Sequence, residues 1–312
     1  MNFQNEFLKI RRPRIIPFVF FKMLGMTLSG LFDFAKPMPA RFKTNPADLT
    51  DPTKLTITYI GHATLFINFF GTTILTDPIF SDRVGLILKR IIKPGLAISE
   101  LPKLDYLLIS HAHLDHLNRP SLRKLAPIVK TLIIPKNCTD LVADLGFKNI
   151  IELHWGEETP SLGVREGGGE LRIRAFRPAH WGTRWPWERI HRGYNSYILQ
   201  KNGVNILFAG DSGYSKTFQE ISRKYPIYVA ILPITAYNPP EFRVMHMNPE
   251  DAVQTFEETG AKYLIPIHWG VFKLSFEPID EPPELIARLM QVRGRKDSLK
   301  LLPPGASLSL PD

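Results

Sequence analysis

Ser110-His111-Ala112-His113-Leu114-Asp115-His116 follows directly on Leu104 to Ile109, an apolar run with the length and branched content of a buried strand. The stretch reads H-x-H-x-D-H. Four side chains able to bind a metal, released within six residues at a strand end, are hard to explain as packing. Imidazole and carboxylate are ligands that zinc accepts, and that iron or manganese accept less selectively. A solvated polar loop is the bland alternative, and the rest of the chain speaks against it.

With 312 residues, 44% hydrophobic and 22% charged, the chain has the composition of a globular protein with a substantial core. One cysteine, Cys138, excludes an internal disulfide and a cysteine-built zinc cage. The formal charge of +9 raises nucleic acid as a partner, so its distribution matters. Residues 1–43 hold Lys9, Arg11, Arg12, Arg14, Lys22, Lys36, Arg41 and Lys43 against Glu6 and Asp33, a net of +6 from eight bases and two acids. The remaining domain is only slightly basic, and no nucleic-acid partner is expected.

This basic arm also carries the apolar runs Ile15 to Phe21 and Met23 to Phe32. Pro17, Lys22, Gly25 and Gly30 spoil a spanning helix, which needs about 20 mostly apolar residues. A signal peptide lacks a convincing small-residue cleavage site here. Basic residues beside aromatic and aliphatic ones suit a segment lying in the surface of an anionic membrane. The expectation is peripheral membrane attachment on the cytoplasmic face, with packing on the chain's own domain or a signal anchor as alternatives.

From Leu55 the pattern has period two: Leu55 to Ile60, Thr64 to Phe69 and Thr73 to Thr76, a meander turned at Gly61-His62 and Gly71 and stopped at Asp77-Pro78. Residues 82–103 read as a long loop or short helix. Beyond the ligand stretch the chain predicts a short helix over Ser121 to Leu125, a strand over Lys130 to Pro135 and a helix from Thr139 to Leu145 ended by Gly146. Strands follow near Ile150 to Leu153 and Leu171 to Phe176, with Gly167-Gly168-Gly169 as the turn between them. Further strands are expected at Tyr194 to Gln200, Asn205 to Ala209 and Tyr228 to Pro233. A helix then starts with Asn248 as N-cap and Pro249 at its first position, and Gly260 closes it. The strand Ala261 to Ile267 comes last. Strands that first meander and then alternate with helices predict sheets covered by helices on their outer faces.

Four strand exits offer metal ligands: the His111 cluster, His180, Asp211 and His268. Seven ligands exceed one four-coordinate zinc but suit two metals about 3.5–4 Å apart. The natural partition puts His111, His113 and His180 on one ion and Asp115, His116 and His268 on the other, with Asp211 bridging. The expected cofactor is two zinc ions, with manganese or iron as substitutes.

The stretches Tyr59-Ile-Gly-His-Ala-Thr64, Leu75-Thr-Asp-Pro-Ile-Phe80, Ile98-Ser-Glu-Leu-Pro102, Ile109 to Leu117, His180-Trp181, Phe208-Ala-Gly-Asp-Ser-Gly-Tyr214, His246-Met-Asn-Pro-Glu-Asp-Ala252 and Ile267-His-Trp-Gly270 carry a further likeness. In unbroken order over about residues 44–300, the chain resembles the metallo-β-lactamase fold superfamily, in particular its N-acylphosphatidylethanolamine-hydrolysing phospholipase D-like branch, with ascorbate-phosphate lactonases as neighbours. The resemblance implies an α/β fold, a four-layer αββα sandwich of the metallo-β-lactamase type, over residues 44–312. It also implies a binuclear zinc hydrolase acting as a phosphodiesterase on N-acylphosphatidylethanolamine-like phospholipids. A lactonase or other carboxylic-ester hydrolase is the alternative. Lactam-cleaving members mostly lack the bridging carboxylate, so a β-lactamase is not expected. A nuclease and a non-catalytic scaffold are weaker readings, because the domain is nearly neutral and all seven ligands are present.

Asp115 and His246 are the expected catalytic side chains. For His246, before the Asn248-capped helix, the resemblance implies a general acid or a group that positions substrate. Asp77 is expected behind the ligands, orienting an imidazole, and His62 reads either as such a group or as packing. His154 and His191 read as surface or packing residues. Trp181, Trp185, Trp187 and Trp269 lie next to or near ligands in sequence and are candidates for a pocket wall or an acyl-chain rest, against core packing as the default for tryptophan. The expected partners are a phospholipid or small ester and a membrane surface, with a homo-oligomer allowed.

Overall fold

The period-two segment becomes three antiparallel strands, β1 (Leu55–Gly61), β2 (Thr64–Phe69) and β3 (Thr72–Thr76). Leu55, Ile57, Tyr59, Leu65 and Ile67 alternate onto one face and are fully buried, whereas Phe66 and Leu75 point to the other. The computed structural model describes residues 36–40, 42–85, 88–160, 169–185 and 187–310. Most of the basic arm, with its expected membrane segment, lies outside the described residues, as do Gly167 and Gly168.

A small ribbon, β4 (Arg83–Val84) with β5 (Leu88–Lys89), follows in the stretch expected as loop. The sheet then continues with β6 (Leu104–Leu108), β7 (Val129–Pro135) and β8 (Ile150–Leu153), each parallel to its neighbour from β3 outward. The second sheet is built of β9 (Arg172–Phe176), β10 (Ser196–Lys201), β11 (Val204–Phe208), β12 (Val229–Pro233) and β13 (Tyr263–Ile267), antiparallel up to β11 and parallel from β11 to β13. The last strand, β14 (Ser307–Leu310), returns to the first sheet and closes its edge against β1.

Helix α1 (Arg119–Leu125) covers the outer face of the first sheet, burying Leu122 and Leu125 against Leu104, Leu107 and Leu132. The second sheet is covered by α2 (Lys216–Lys224), α3 (Pro249–Thr259) and α4 (Glu281–Val292). Between the sheets, residues of both inner faces form one core that includes Ile57, Ile67, Leu108, Tyr197, Phe208 and Ile231. Two mixed sheets sandwiched between helices give the four-layer αββα arrangement. Among the described residues no helix is long and apolar enough to cross a membrane.

Helix α3 starts as expected: Asn248 Oδ1 accepts the Asp251 amide at 2.9 Å, the Asp251 carboxylate returns to the Asn248 amide, and Gly260 ends the helix at φ 65°. The helix expected over Thr139 to Leu145 is instead a 3-10 turn, Thr139–Leu141. Glu152 Oε1 takes the amides of Cys138 and Thr139 and the Thr139 hydroxyl, which pins the segment's start to β8.

Candidate metal centre

Because β1, β3 and β6 run in one direction, and β9, β11 and β13 in one direction within the facing sheet, the residues just past their ends meet at one edge of the sandwich. His62, Asp77 and the His111 cluster arrive from the first sheet, and His180, Asp211 and His268 from the second. Three of these positions are held at positive φ without being glycine: His62 at 63°, Asp77 at 34° and His268 at 69°. Such backbone costs energy and gathers where side chains must be aimed. The His268 amide donates to the His62 carbonyl at 2.9 Å, locking two of them together.

The ligand atoms form two poles. At the first, His111 Nε2, His113 Nδ1 and His180 Nε2 make a triangle with edges of 2.8, 3.2 and 3.3 Å. At the second, Asp211 Oδ2 lies 3.2 Å from both His116 Nε2 and His268 Nε2, and Asp115 Oδ2 lies 3.5 Å from each. An ion bound tetrahedrally at about 2.0–2.1 Å has ligand-to-ligand edges of about 3.3–3.4 Å. The edges of the second pole and two edges of the first lie close to that size, while the His111–His113 edge of 2.8 Å is shorter. Asp211 also groups with His111 and His116, and with His180 and His246, so its carboxylate lies within 4.8 Å of ligand atoms of both poles.

Outer partners decide which nitrogen of each ring faces inward. His180 Nδ1 donates to the Met245 carbonyl at 3.0 Å, His116 Nδ1 to Asp77 Oδ2 at 2.7 Å, and His111 Nδ1 to Ser110 Oγ at 2.9 Å. The Thr235 hydroxyl is directed at the His268 carbonyl and so accepts from His268 Nδ1 at 3.0 Å. Each of these four rings therefore turns Nε2 inward, and in its neutral form offers a lone pair there. His111 and His180 then set lone pairs against each other at 3.2 Å, and His116 Nε2, His268 Nε2 and Asp211 Oδ1 are buried without a hydrogen-bond partner. That is a donor set made for cations, and its residues fit one or two metal ions.

Electrostatics agree. Burial holds His111 and His180 well below the ordinary imidazole value and brings His62 down to about 3 and His113 to about 4, keeping these rings neutral. At the second pole burial again opposes charge, yet the carboxylates of Asp211 and Asp115 outweigh it, raising His116 well above its usual value and His268 to about 9. Despite their own burial, Asp115 and Asp211 are held well below the carboxylate range by His116 and its neighbours. Two buried carboxylates thus demand positive charge, a demand a divalent ion meets.

Behind this shell, Asp77 Oδ1 accepts the Ser110 amide at 2.6 Å and Oδ2 accepts the Ser110 hydroxyl at 2.6 Å. Ser110 passes the contact on to His111, so one carboxylate reaches a ring of each pole. His62 Nε2 donates to Asp115 Oδ2 at 3.0 Å while its ring lies 4.1 Å from that of His268. His246 sits at the rim, its Nδ1 3.7 Å from Asp211 Oδ2 and its ring 5.0 Å from that of His180. Trp181 packs on His180 and His113 at 4.4 and 4.6 Å between ring centres. Trp185 and Trp187 stack on each other at 5.4 Å and are exposed. Trp269 does not join them: it stacks on Tyr59 and borders the core between the sheets.

Sequence reasoning missed Ser110, Thr235 and Arg184. Arg184 holds the ligand loop by donating to the carbonyls of Ala112 and Leu117 at 2.6 and 3.0 Å. His154, partly buried, and His191, exposed, lie at the surface in keeping with their reading as surface or packing residues. Both line a cleft of about 540 Å³ that opens beside His180 and Trp181. A histidine spaced away from every other ligand carries no local signal of such a place.

A family model described as a beta-lactamase superfamily domain matches residues 72–269. The mitochondrial N-acyl-phosphatidylethanolamine-hydrolyzing phospholipase D of Saccharomyces cerevisiae is 33% identical over 249 residues, covering 77% of this chain and 53% of the yeast protein. N-acyl-phosphatidylethanolamine-hydrolyzing phospholipase D 1 of Caenorhabditis elegans is 28% identical over 262 residues, covering 79% of this chain and 72% of the nematode protein. The chain thus spans about half the length of the yeast relative. Among solved structures, Igni18, a metallo hydrolase from Ignicoccus hospitalis, superposes with a TM-score of 0.65 at 21% identity, covering 83% of this chain and 100% of that one. With seven histidine and aspartate ligands gathered at the edge of an αββα sandwich, the chain belongs to the metallo-β-lactamase fold superfamily and is one of its metal-dependent hydrolases.

Proposed function

We propose that the chain is a binuclear zinc phosphodiesterase of phospholipase D type, acting on N-acylphosphatidylethanolamine-like phospholipids. The observation that carries this reading is the Asp211 carboxylate shared between a three-histidine pole and an aspartate-histidine pole. The names of the yeast and nematode relatives supply the substrate class. Bound at the two poles, divalent ions would lower the pKa of a water to about 7 and offset charge on the phosphoryl oxygens.

The chain's own residues do the rest. Asp77, Ser110, Thr235 and the Met245 carbonyl hold four imidazoles in one tautomer, so no ligand must reorient during turnover. His62 fixes Asp115. His246, at the rim beside Asp211, is placed to give a proton or an N–H hydrogen bond to the leaving oxygen. The exposed Trp185–Trp187 stack offers an acyl chain a flat apolar rest. Residues 1–43 would keep the enzyme on an anionic bilayer where such a substrate lies.

Turnover of the purified, zinc-analysed protein against an N-acylated phosphatidylethanolamine, bis-p-nitrophenyl phosphate and a sugar lactone, side by side, tests the reading. Hydrolysis of the lipid and the phosphodiester is expected. Hydrolysis of the lactone with neither phosphodiester touched refutes it and leaves the carboxylic-ester alternative. Deleting residues 1–36 should abolish co-sedimentation with anionic liposomes, and unchanged binding would remove the arm from the proposal.

A further inference from the structure

The chain leaves β12 into Ile234 and the turn beyond it, and leaves β13 into His268, side by side, since Pro233 pairs with Ile267. Each exit holds one residue in left-handed backbone that is not glycine, Ala236 at φ 67° and His268 at φ 69°. The Cβ of a left-handed alanine disfavours that conformation, so the surroundings have to hold it. At Ala236 the holder is Glu277, a buried carboxylate from the segment after β13. Its Oε1 accepts the Ala236 amide at 2.6 Å and its Oε2 the Asn238 amide at 3.3 Å. The neighbouring Ser275 hydroxyl donates to the Asn238 carbonyl.

A carboxylate is expensive to bury unless donors meet its oxygens. Among the described residues the donors that meet Glu277 are these two backbone amides, so both oxygens are directed at one turn. What that turn carries is Thr235. The Ala236 amide and the Thr235 carbonyl belong to one rigid peptide plane, so the grip on the amide also sets the backbone of Thr235. The Thr235 hydroxyl in turn donates to the His268 carbonyl and accepts His268 Nδ1 at 3.0 Å, which aims the ring's Nε2 at the second pole, 3.2 Å from Asp211 Oδ2.

We propose that Glu277 is a positioning residue of the second metal pole. It holds Ala236 in the left-handed region, thereby places the Thr235 hydroxyl, and through that hydroxyl fixes the imidazole of His268. The inference concerns metal binding and does not depend on which ester is cleaved.

The test is competition titration of zinc against a chromophoric chelator in wild type, Thr235→Val, Glu277→Gln and the double variant. A glutamine has one acceptor oxygen, so one of the two amides loses its partner whichever way the side chain turns. Thr235→Val identifies which zinc dissociation constant belongs to the pole of His268. Glu277→Gln should raise that same constant about tenfold, the lower end of the range for outer partners of ligating histidines, and leave the other within about twofold. It should add nothing further in the Thr235→Val background. An equal loss at both poles, or full additivity in the double variant, overturns the proposal, because Glu277 then supports the fold and not the ligand. A second measurement needs no variant. Linkage is reciprocal, so zinc must tighten the turn: hydrogen exchange of the Ala236 and Asn238 amides should slow about tenfold more on zinc loading than that of a control pair. The control is the Cys138 and Thr139 amides, which the Glu152 carboxylate holds in the same manner. Equal slowing of the two pairs overturns the proposal even where Glu277→Gln fails to fold. Both readouts are taken without turnover, so a failure here is distinct from a failure of the phosphodiesterase reading.

Discussion

Replacing Asp77 by Asn changes one atom of a fully buried side chain and should weaken both metal poles together. In the native structure Oδ1 accepts the Ser110 amide at 2.6 Å, and Oδ2 accepts the Ser110 hydroxyl at 2.6 Å and His116 Nδ1 at 2.7 Å. An amide has one acceptor oxygen. Whichever way it turns, its NH₂ faces a donor: the Ser110 N–H in one orientation, His116 and the Ser110 hydroxyl in the other. Losing a charge-assisted bond and stranding a buried donor costs about 1.5–3 kcal/mol. Outer partners of ligating histidines are typically worth about 10–100-fold in metal affinity, which is about 1.4–2.8 kcal/mol and agrees with the first figure. Asp77→Asn should therefore raise the zinc dissociation constants of both sites by about 10–100-fold. Ser110→Ala, which breaks the link to His111 and spares the bond from His116, should weaken the first pole more than the second. Competition titration against a chromophoric chelator, with melting curves taken with and without zinc, reads both effects. Zinc constants within about twofold of wild type in a folded Asp77→Asn protein would refute the idea that this carboxylate orients the ligands.

His246→Ala should lower turnover far more than zinc content, and a parallel loss of both would deny His246 a role in the chemistry. Gly210 stands at φ 60°, and a Cβ there would meet Ser110 Cβ at 2.6 Å; Gly210→Ala should cost about 1–2 kcal/mol from backbone conformation alone and lower zinc affinity as Ser110 is displaced, both visible in melts and metal analysis. Burial pushes the Cys138 thiol up to about 12, so the native protein should resist a thiol reagent at pH 8 and react only on unfolding, as a colorimetric thiol assay would show.

The features legible in the chain were the local ones. Alternation over Leu55 to Thr76 becomes β1 to β3 because burial on one sheet face repeats every second residue. Helix α3 forms where Asn248, Pro249 and Gly260 say it must, since a cap acts within one turn. The ligand types were readable too, because each follows directly on an apolar strand. Helices α2 and α4 escaped: α2 buries only Phe218 and Ile221, and α4 only Pro282, Ile286 and Met290, too sparse an apolar stripe to stand out. Strand β14 escaped because its reason to exist is its distant partner, β1, whose Leu55 faces Leu310.

How the candidate ligands are aimed depends on contacts between distant parts of the chain. Thr235 reaches His268 across 33 residues, the Met245 carbonyl reaches His180 across 65, and His62 reaches Asp115 across 53. Nothing in the local sequence marks a threonine, a backbone carbonyl or a separate histidine as such a partner. The same holds for the cleft beside His180, whose walls come from residues just past the ends of β7, β8 and β9 and from the loop after His180. Residue chemistry is written along the chain, but a hydrogen bond or a cavity is a relation between places the chain brings together only by packing two sheets face to face.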